Sequence, residues 1–158
     1  MKNRKAIIVG LSSLKLKKNE KKFLIKNKPW GVILFSRNIK DINQAKRLVK
    51  EIKECFNDNL YPILIDEEGG SVSRLKKIID TSNFTAKYFA DLYLINKKKF
   101  YLYYEIYINS ISSILNNLGI NINTVPVLDI VRKKSSKIIG DRSYSNKFKI
   151  VSDLGDKC

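Results

Sequence analysis

The sequence predicts an α/β protein built on a parallel β-sheet, and three observations predict it. Short apolar, β-branched runs at residues 6–9, 31–35, 61–65 and 121–125 alternate with stretches whose apolar residues recur at helical spacing. The runs at 31–35 and 61–65 carry no charged residue, as expected of strands covered on both faces. Charged residues and glycines gather instead just past the runs, where α/β folds place their chemistry. The 158 residues suffice for one domain with a real core. They fall well short of the roughly 250 that a closed eight-stranded α/β barrel takes.

Each element has its own justification. Residues 6–9 read as a strand and 17–27 as a short basic helix. Gly31-Val-Ile-Leu-Phe35 is the second strand. Asp41 is placed to cap the helix after it, because its carboxylate can accept from the free N–H groups of the first turn. Along that helix Ile42, Ala45, Leu48, Val49, Ile52 and Cys55 share one face, and Lys46, Lys50 and Lys53 take the other. Tyr61-Pro-Ile-Leu-Ile65 is the third strand, ending at Asp66. An irregular stretch with Gly69-Gly70 follows, then a short helix at 85–93. In the long helix at 97–118, Phe100, Tyr104, Ile108, Ile111, Leu115 and Leu118 step by three or four residues. Gly119 supplies the left-handed residue that ends it. Residues 121–125 make a fourth strand, and 147–154 open another helix. Strands and helices in alternation imply βαβ units with right-handed crossovers.

The charge balance is strongly basic: 31 lysines and arginines against 15 acids, a net charge of +16. Of the basic residues 25 are Lys and only 6 Arg, alongside many Ile and Asn, as an A/T-rich coding sequence would give. Nucleic-acid sites favour Arg, which grips phosphates and guanine edges with two bonds. The lysines also scatter over 15–22, 97–99 and 132–137. The expectation is a solvated basic surface with no specific nucleic-acid partner. There is no histidine, so a catalytic His, a His-ligated metal and a Ser-His-Asp triad are excluded within these residues. Cys55 and Cys158 form no disulfide framework and match no zinc spacing, which predicts a reducing compartment and neither metal nor cofactor. The apolar run at 6–11 is too short for a signal peptide. Residues 100–118 carry Glu105 and several Ser and Asn, so no membrane span is predicted. A soluble, cytoplasmic chain is expected.

Chemistry-bearing residues fall in four clusters: Ser36-Arg37-Asn38, Asp66-Glu-Glu-Gly-Gly70, Pro126-Val-Leu-Asp129 and Gly140-Asp-Arg-Ser143. Gly69-Gly70 permits left-handed backbone and the close approach of a ligand. Carboxylates accept from hydroxyl groups and arginine forks donate, so these acids with Arg74 and Arg142 suit a ligand with many hydroxyls. On the residues alone, Asp66 capping a turn and arginines neutralising the acids is an equal account. Asp66 and Glu68 do not qualify as the two carboxylates of a glycosidase. A spacing of i and i+2 in a turn gives no ground for placing the two carboxylates roughly 5–9 Å apart across a sugar.

Four strings together are more specific. Gly-Val-Ile-Leu-Phe-Ser-Arg-Asn-Ile (31–39), Ile-Asp-Glu-Glu-Gly-Gly-Ser-Val-Ser-Arg-Leu (65–75), Gly-Ile-Asn-Ile-Asn-Thr-Val-Pro-Val-Leu-Asp-Ile (119–130) and Ile-Gly-Asp-Arg-Ser-Tyr (139–144) resemble glycoside hydrolase family 3. The nearest likeness is to its bacterial β-N-acetylhexosaminidase branch, which trims N-acetylglucosamine during cell-wall recycling. The resemblance implies a partial (β/α)8 TIM-type barrel over residues 1–158, comprising the first four to five βα units. It implies that Asp66 holds sugar hydroxyls, that Arg74 closes the Asp-x-Glu-Gly-Gly-x-Val-x-Arg string beside it, and that Arg142 is a further sugar contact. Glu67 stands where many members have Gln. Glu68 and Asp129 are expected to shape the turn and the strand end.

The departures from the family matter as much. Members carry a Lys-His-Phe-Pro-Gly-His-Gly string about thirty residues after that second arginine, then an acid/base His and a nucleophilic Asp. None of these lies in the 158 residues, and 85–99 lacks the usual Pro and Gly. The implied chemistry is retaining hydrolysis of N-acetylglucosaminides through a covalent glycosyl-enzyme. This chain is expected to supply substrate positioning, to show no activity alone, and to take a complementary half-barrel as partner. The weaker alternatives are a non-catalytic sugar-binding half-barrel and a basic nucleic-acid-associated protein.

Overall fold

Among the described residues four parallel strands form the sheet, paired in the order in which they occur along the chain. A computed structural model describes residues 3–132 and 135–158. Met1, Lys2, Lys133 and Lys134, the last two part of the basic run 132–137, lie outside the described residues. The chain forms two compact units. The first comprises residues 3–66, 74–79 and 113–124; the second comprises 67–73, 80–112 and the described part of 125–158.

The first unit holds the sheet: β1 (Lys5–Gly10), β2 (Pro29–Leu34), β3 (Ile63–Ile65) and β4 (Ile122–Asn123). Helix α1 (Lys18–Asn27) links β1 to β2, and α2 (Ile42–Glu54) links β2 to β3. Asp41 caps α2 by accepting from the Gln44 N–H at 2.8 Å, as its position predicts. The buried face of α2 is Gln44, Ala45, Leu48, Val49 and Ile52, while Ile42 at its start is exposed. Val32, Leu34, Ile63 and Ile65 are fully buried, which explains their uninterrupted apolar run. β3 is shorter than predicted because Pro62 has no N–H to give a ladder. Tyr61 packs instead, stacking on Phe56 at 3.8 Å and donating its hydroxyl to the Pro29 carbonyl at 2.8 Å. Among the described residues β1 pairs along one side only, and its Ile7 and Ile8 are more than two-fifths exposed.

An aromatic core organises the second unit. Helix α3 (Ala86–Ile95) is capped by Thr85, which accepts from the Tyr88 N–H. Asn96 ends α3 and its side chain caps α4 (Lys97–Leu118) through the Lys99 N–H at 3.0 Å. Residues 97–112 of α4 belong to this unit and 113–118 to the first. Phe89, Phe100, Tyr104, Tyr144, Val151 and Leu154 form the cluster, the last two from α5 (Phe148–Gly155). Phe100 packs within 5.3 Å, ring centre to ring centre, of Tyr93, Tyr101 and Tyr104. No helix among the described residues is long and apolar enough to cross a membrane.

Candidate functional site

Strand register sets the row in which the site begins. Leu34 lies opposite Ile65, and Ile65 opposite Asn123, so the next residues of the three strands stand side by side: Phe35, Asp66 and Thr124. All three are at carboxyl ends, the end where parallel α/β sheets bind ligands. Thr124 fastens the row, its N–H donating to the Ile65 carbonyl at 2.9 Å and its hydroxyl to Oδ1 of Asp66. A guanidinium nitrogen of Arg74 stands 3.7 Å from Oδ2 of Asp66. Both side chains are about one quarter exposed, 26% for Arg74 and 27% for Asp66, so the pair is braced yet open to a ligand. The Arg74 guanidinium also lies over the Phe35 ring at 5.6 Å, and that of Arg37 at 4.5 Å.

Ser36-Arg37-Asn38, marked by the sequence as unusual, is mainly a brace. Arg37 Nε donates to the Leu11 carbonyl at 2.8 Å. Asn38 is fully buried and donates to the carbonyls of Leu11 and Ser13, while its side-chain oxygen accepts from the Phe35 N–H. Gln44 donates to the Leu14 and Asn38 carbonyls. Buried amides tie the segment after β1 to the end of β2, leaving no donor of Asn38 to face a ligand.

In the second unit the loop after Asp66 is fixed at several points. The Glu68 N–H donates to the Val72 carbonyl at 3.2 Å and the Gly70 N–H to the Thr81 carbonyl at 2.9 Å. Gly69 has φ +79°, and a Cβ there would meet the Phe84 carbonyl oxygen and the Tyr107 hydroxyl, so the Gly-Gly pair answers to both backbone angle and space. Glu67 is buried, and the hydroxyl of buried Thr81 donates to it at 3.3 Å. Burial, and then the charge of Glu67, push the Tyr107 phenol above its ordinary range. Glu68 receives both arms of Arg142: Nε to Oε2 and Nη2 to Oε1, each at 2.8 Å. Arg142 ends a 3-10 turn (Gly140–Arg142), and buried Ser143 after it donates to the carbonyls of Asp129 and Ser145.

The sequence-predicted residues therefore fall as two pairs. Asp66 and Arg74 come together at the strand ends; Arg142 comes together with Glu68, whose part in holding an arginine the sequence did not disclose. Asp129 contributes its carbonyl, and its side chain is exposed. The sequence pattern places Phe35 and Thr124 inside strands and gives neither a part in the site, whereas β2 ends at Leu34 and β4 at Asn123. Each directly follows a strand, as Asp66 does. Among the described residues no group of three or more Cys, Asp and Glu is placed to hold a metal ion.

Comparison with known proteins adds to this geometry. Residues 4–158 match the glycosyl hydrolase family 3 N terminal domain. A β-hexosaminidase of Hydrogenovibrio crunogenus is 32% identical over 94% of this chain and 41% of its own length. NagZ from Neisseria gonorrhoeae, solved in complex with N-trifluoroacetyl-D-glucosamine, superimposes with a TM-score of 0.82 at 24% identity, over 96% of this chain and 45% of its own. A family 3 β-N-acetylglucosaminidase from Paenibacillus gives 0.74 at 29% identity, over 94% of this chain and 27% of its own. The chain thus spans about two-fifths or less of the length of the curated relatives it matches.

Proposed function

The chain belongs to glycosyl hydrolase family 3, and on that premise we propose that it is the sugar-positioning part of a β-N-acetylhexosaminidase. Its ligand in this reading is a saccharide bearing N-acetylglucosamine, and its setting is peptidoglycan recycling in the cytoplasm. One observation carries the proposal. Asp66, at the carboxyl end of β3, is oriented on one oxygen by Thr124 and faces Arg74 on the other. A carboxylate so held accepts from sugar hydroxyls without first having to be ordered. The β-hexosaminidases among the relatives and the glucosamine derivative bound to the gonococcal enzyme support the substrate class. Arg142 is assigned to the sugar by the resemblance of its Gly-Asp-Arg-Ser string.

Positioning is a real share of such catalysis, since holding a sugar in a near-attack pose lowers the barrier by several kcal/mol. It does not replace a nucleophile or a proton donor. These 158 residues hold no histidine, so the acid/base step of the family falls to residues outside them. The one-sided pairing of β1 and its exposed Ile7 and Ile8 support a partner that adds the remaining strands. Turnover of a fluorogenic N-acetylglucosaminide by the purified chain tests the assignment of roles. None above background is expected. Turnover that disappears in Asp66→Ala would contradict it.

A further inference from the structure

We propose that Glu68 is a positioning residue for sugar binding, acting through Arg142. The two side chains meet as a fork on a fork, Nε to Oε2 and Nη2 to Oε1, both at 2.8 Å. Paired bonds of this kind fix the plane of a guanidinium as well as its place, which a single bond does not. Both groups are largely withdrawn from water, with side-chain exposures of 24% for Arg142 and 12% for Glu68. Both backbones are also fixed. Glu68 lies in the turn closed by its bond to Val72, followed by two glycines at positive φ. Arg142 closes the 3-10 turn, anchored by the buried Ser143.

The consequence concerns entropy and direction. A long arginine side chain free in water loses its rotamer freedom when a ligand orders it. With Glu68 in place that ordering is complete before the sugar arrives, and the guanidinium plane is set by the protein. The neighbouring acid is not interchangeable with it, because Glu67 is buried against Thr81. This proposal rests on the sugar-binding reading of Arg142, and the experiment separates the two.

N-acetylglucosamine is titrated into the 15N-labelled chain, and the Arg142 Nε–H signal is followed with the backbone spectrum. Glu68→Gln keeps the shape and loses the fork. The expected result is loss of the sharp Nε–H signal and affinity weakened about tenfold, with the backbone spectrum otherwise retained. Glu68→Asp, which keeps the charge and shortens the reach, should fall between the two and serves if Glu68→Gln does not fold. Asp58→Asn, which breaks the Arg4–Asp58 pair, should lower stability and leave affinity unchanged. Unaltered affinity in folded Glu68→Gln or Glu68→Asp overturns the proposal alone. No binding by the unsubstituted chain overturns the sugar-binding reading, and this proposal with it.

Discussion

Thr124 donates its hydroxyl to Oδ1 of Asp66 across two adjacent strand ends, leaving Oδ2 to Arg74 at 3.7 Å. The three consecutive acids 66–68 then have separate tasks. Asp66 is held by Thr124 and Arg74, Glu67 is buried against Thr81, and Glu68 holds Arg142.

Removing the Thr124 hydroxyl should loosen Asp66 and little else. Thr124 is exposed, so Thr124→Val empties no core. One hydrogen bond to a charged carboxylate contributes about 1.5 kcal/mol, so N-acetylglucosamine affinity should fall about tenfold. Calorimetric titration, with thermal melting as control, checks this. Unchanged affinity would mean that Asp66 is positioned without its neighbour.

Gly69→Ala should destabilise the loop by about 2 kcal/mol or more. The substitution strains a φ of +79° and drives a methyl within 2.5 Å of the Phe84 carbonyl oxygen. Urea unfolding measures the loss, and Ser71→Ala in the same loop, at an exposed position, should cost almost nothing.

Much of this was legible in the sequence, and the reasons are physical. The α2 face, the Asp41 cap, the Thr85 start and the whole of α4 follow from local periodicity and cap chemistry, which act within a few residues. The strand ends were less legible. β4 is only Ile122–Asn123 where 121–125 was expected, because pairing with β3 alone decides its length. Asp66 and Arg74 are eight positions apart in one motif. Glu68 and Arg142 are 74 positions apart, and no local pattern shows which acid an arginine meets.

Phe100→Ala tests the aromatic core. Phe100 is fully buried among three tyrosine rings, so the truncation should cost about 3–5 kcal/mol in chemical denaturation. Leu102→Ala, two residues further along α4 and more than half exposed, should cost well under 1 kcal/mol.

Alkaline titration should report the buried phenols. Burial pushes Tyr144 and Tyr61 up to about 12, the first despite the Tyr104 hydroxyl at 2.6 Å and the second despite Arg4. A phenol whose folded pKa is raised contributes stability in full below its unfolded value near 10 and loses it as pH climbs toward 12. Tyrosinate absorbance and the melting temperature should therefore change together across pH 10–12. Tyr144→Phe should shrink that dependence. Stability flat through this window would contradict the burial of both phenols.

The most direct measurement is a titration of N-acetylglucosamine into the chain, followed residue by residue by NMR, for the unsubstituted protein and for Asp66→Asn. The expected result is saturable binding with shifts at Asp66, Arg74 and Thr124. In Asp66→Asn the affinity should be at least about tenfold weaker at unchanged fold. Absent binding, or binding that Asp66→Asn leaves intact, would contradict the claim that these strand ends hold a sugar.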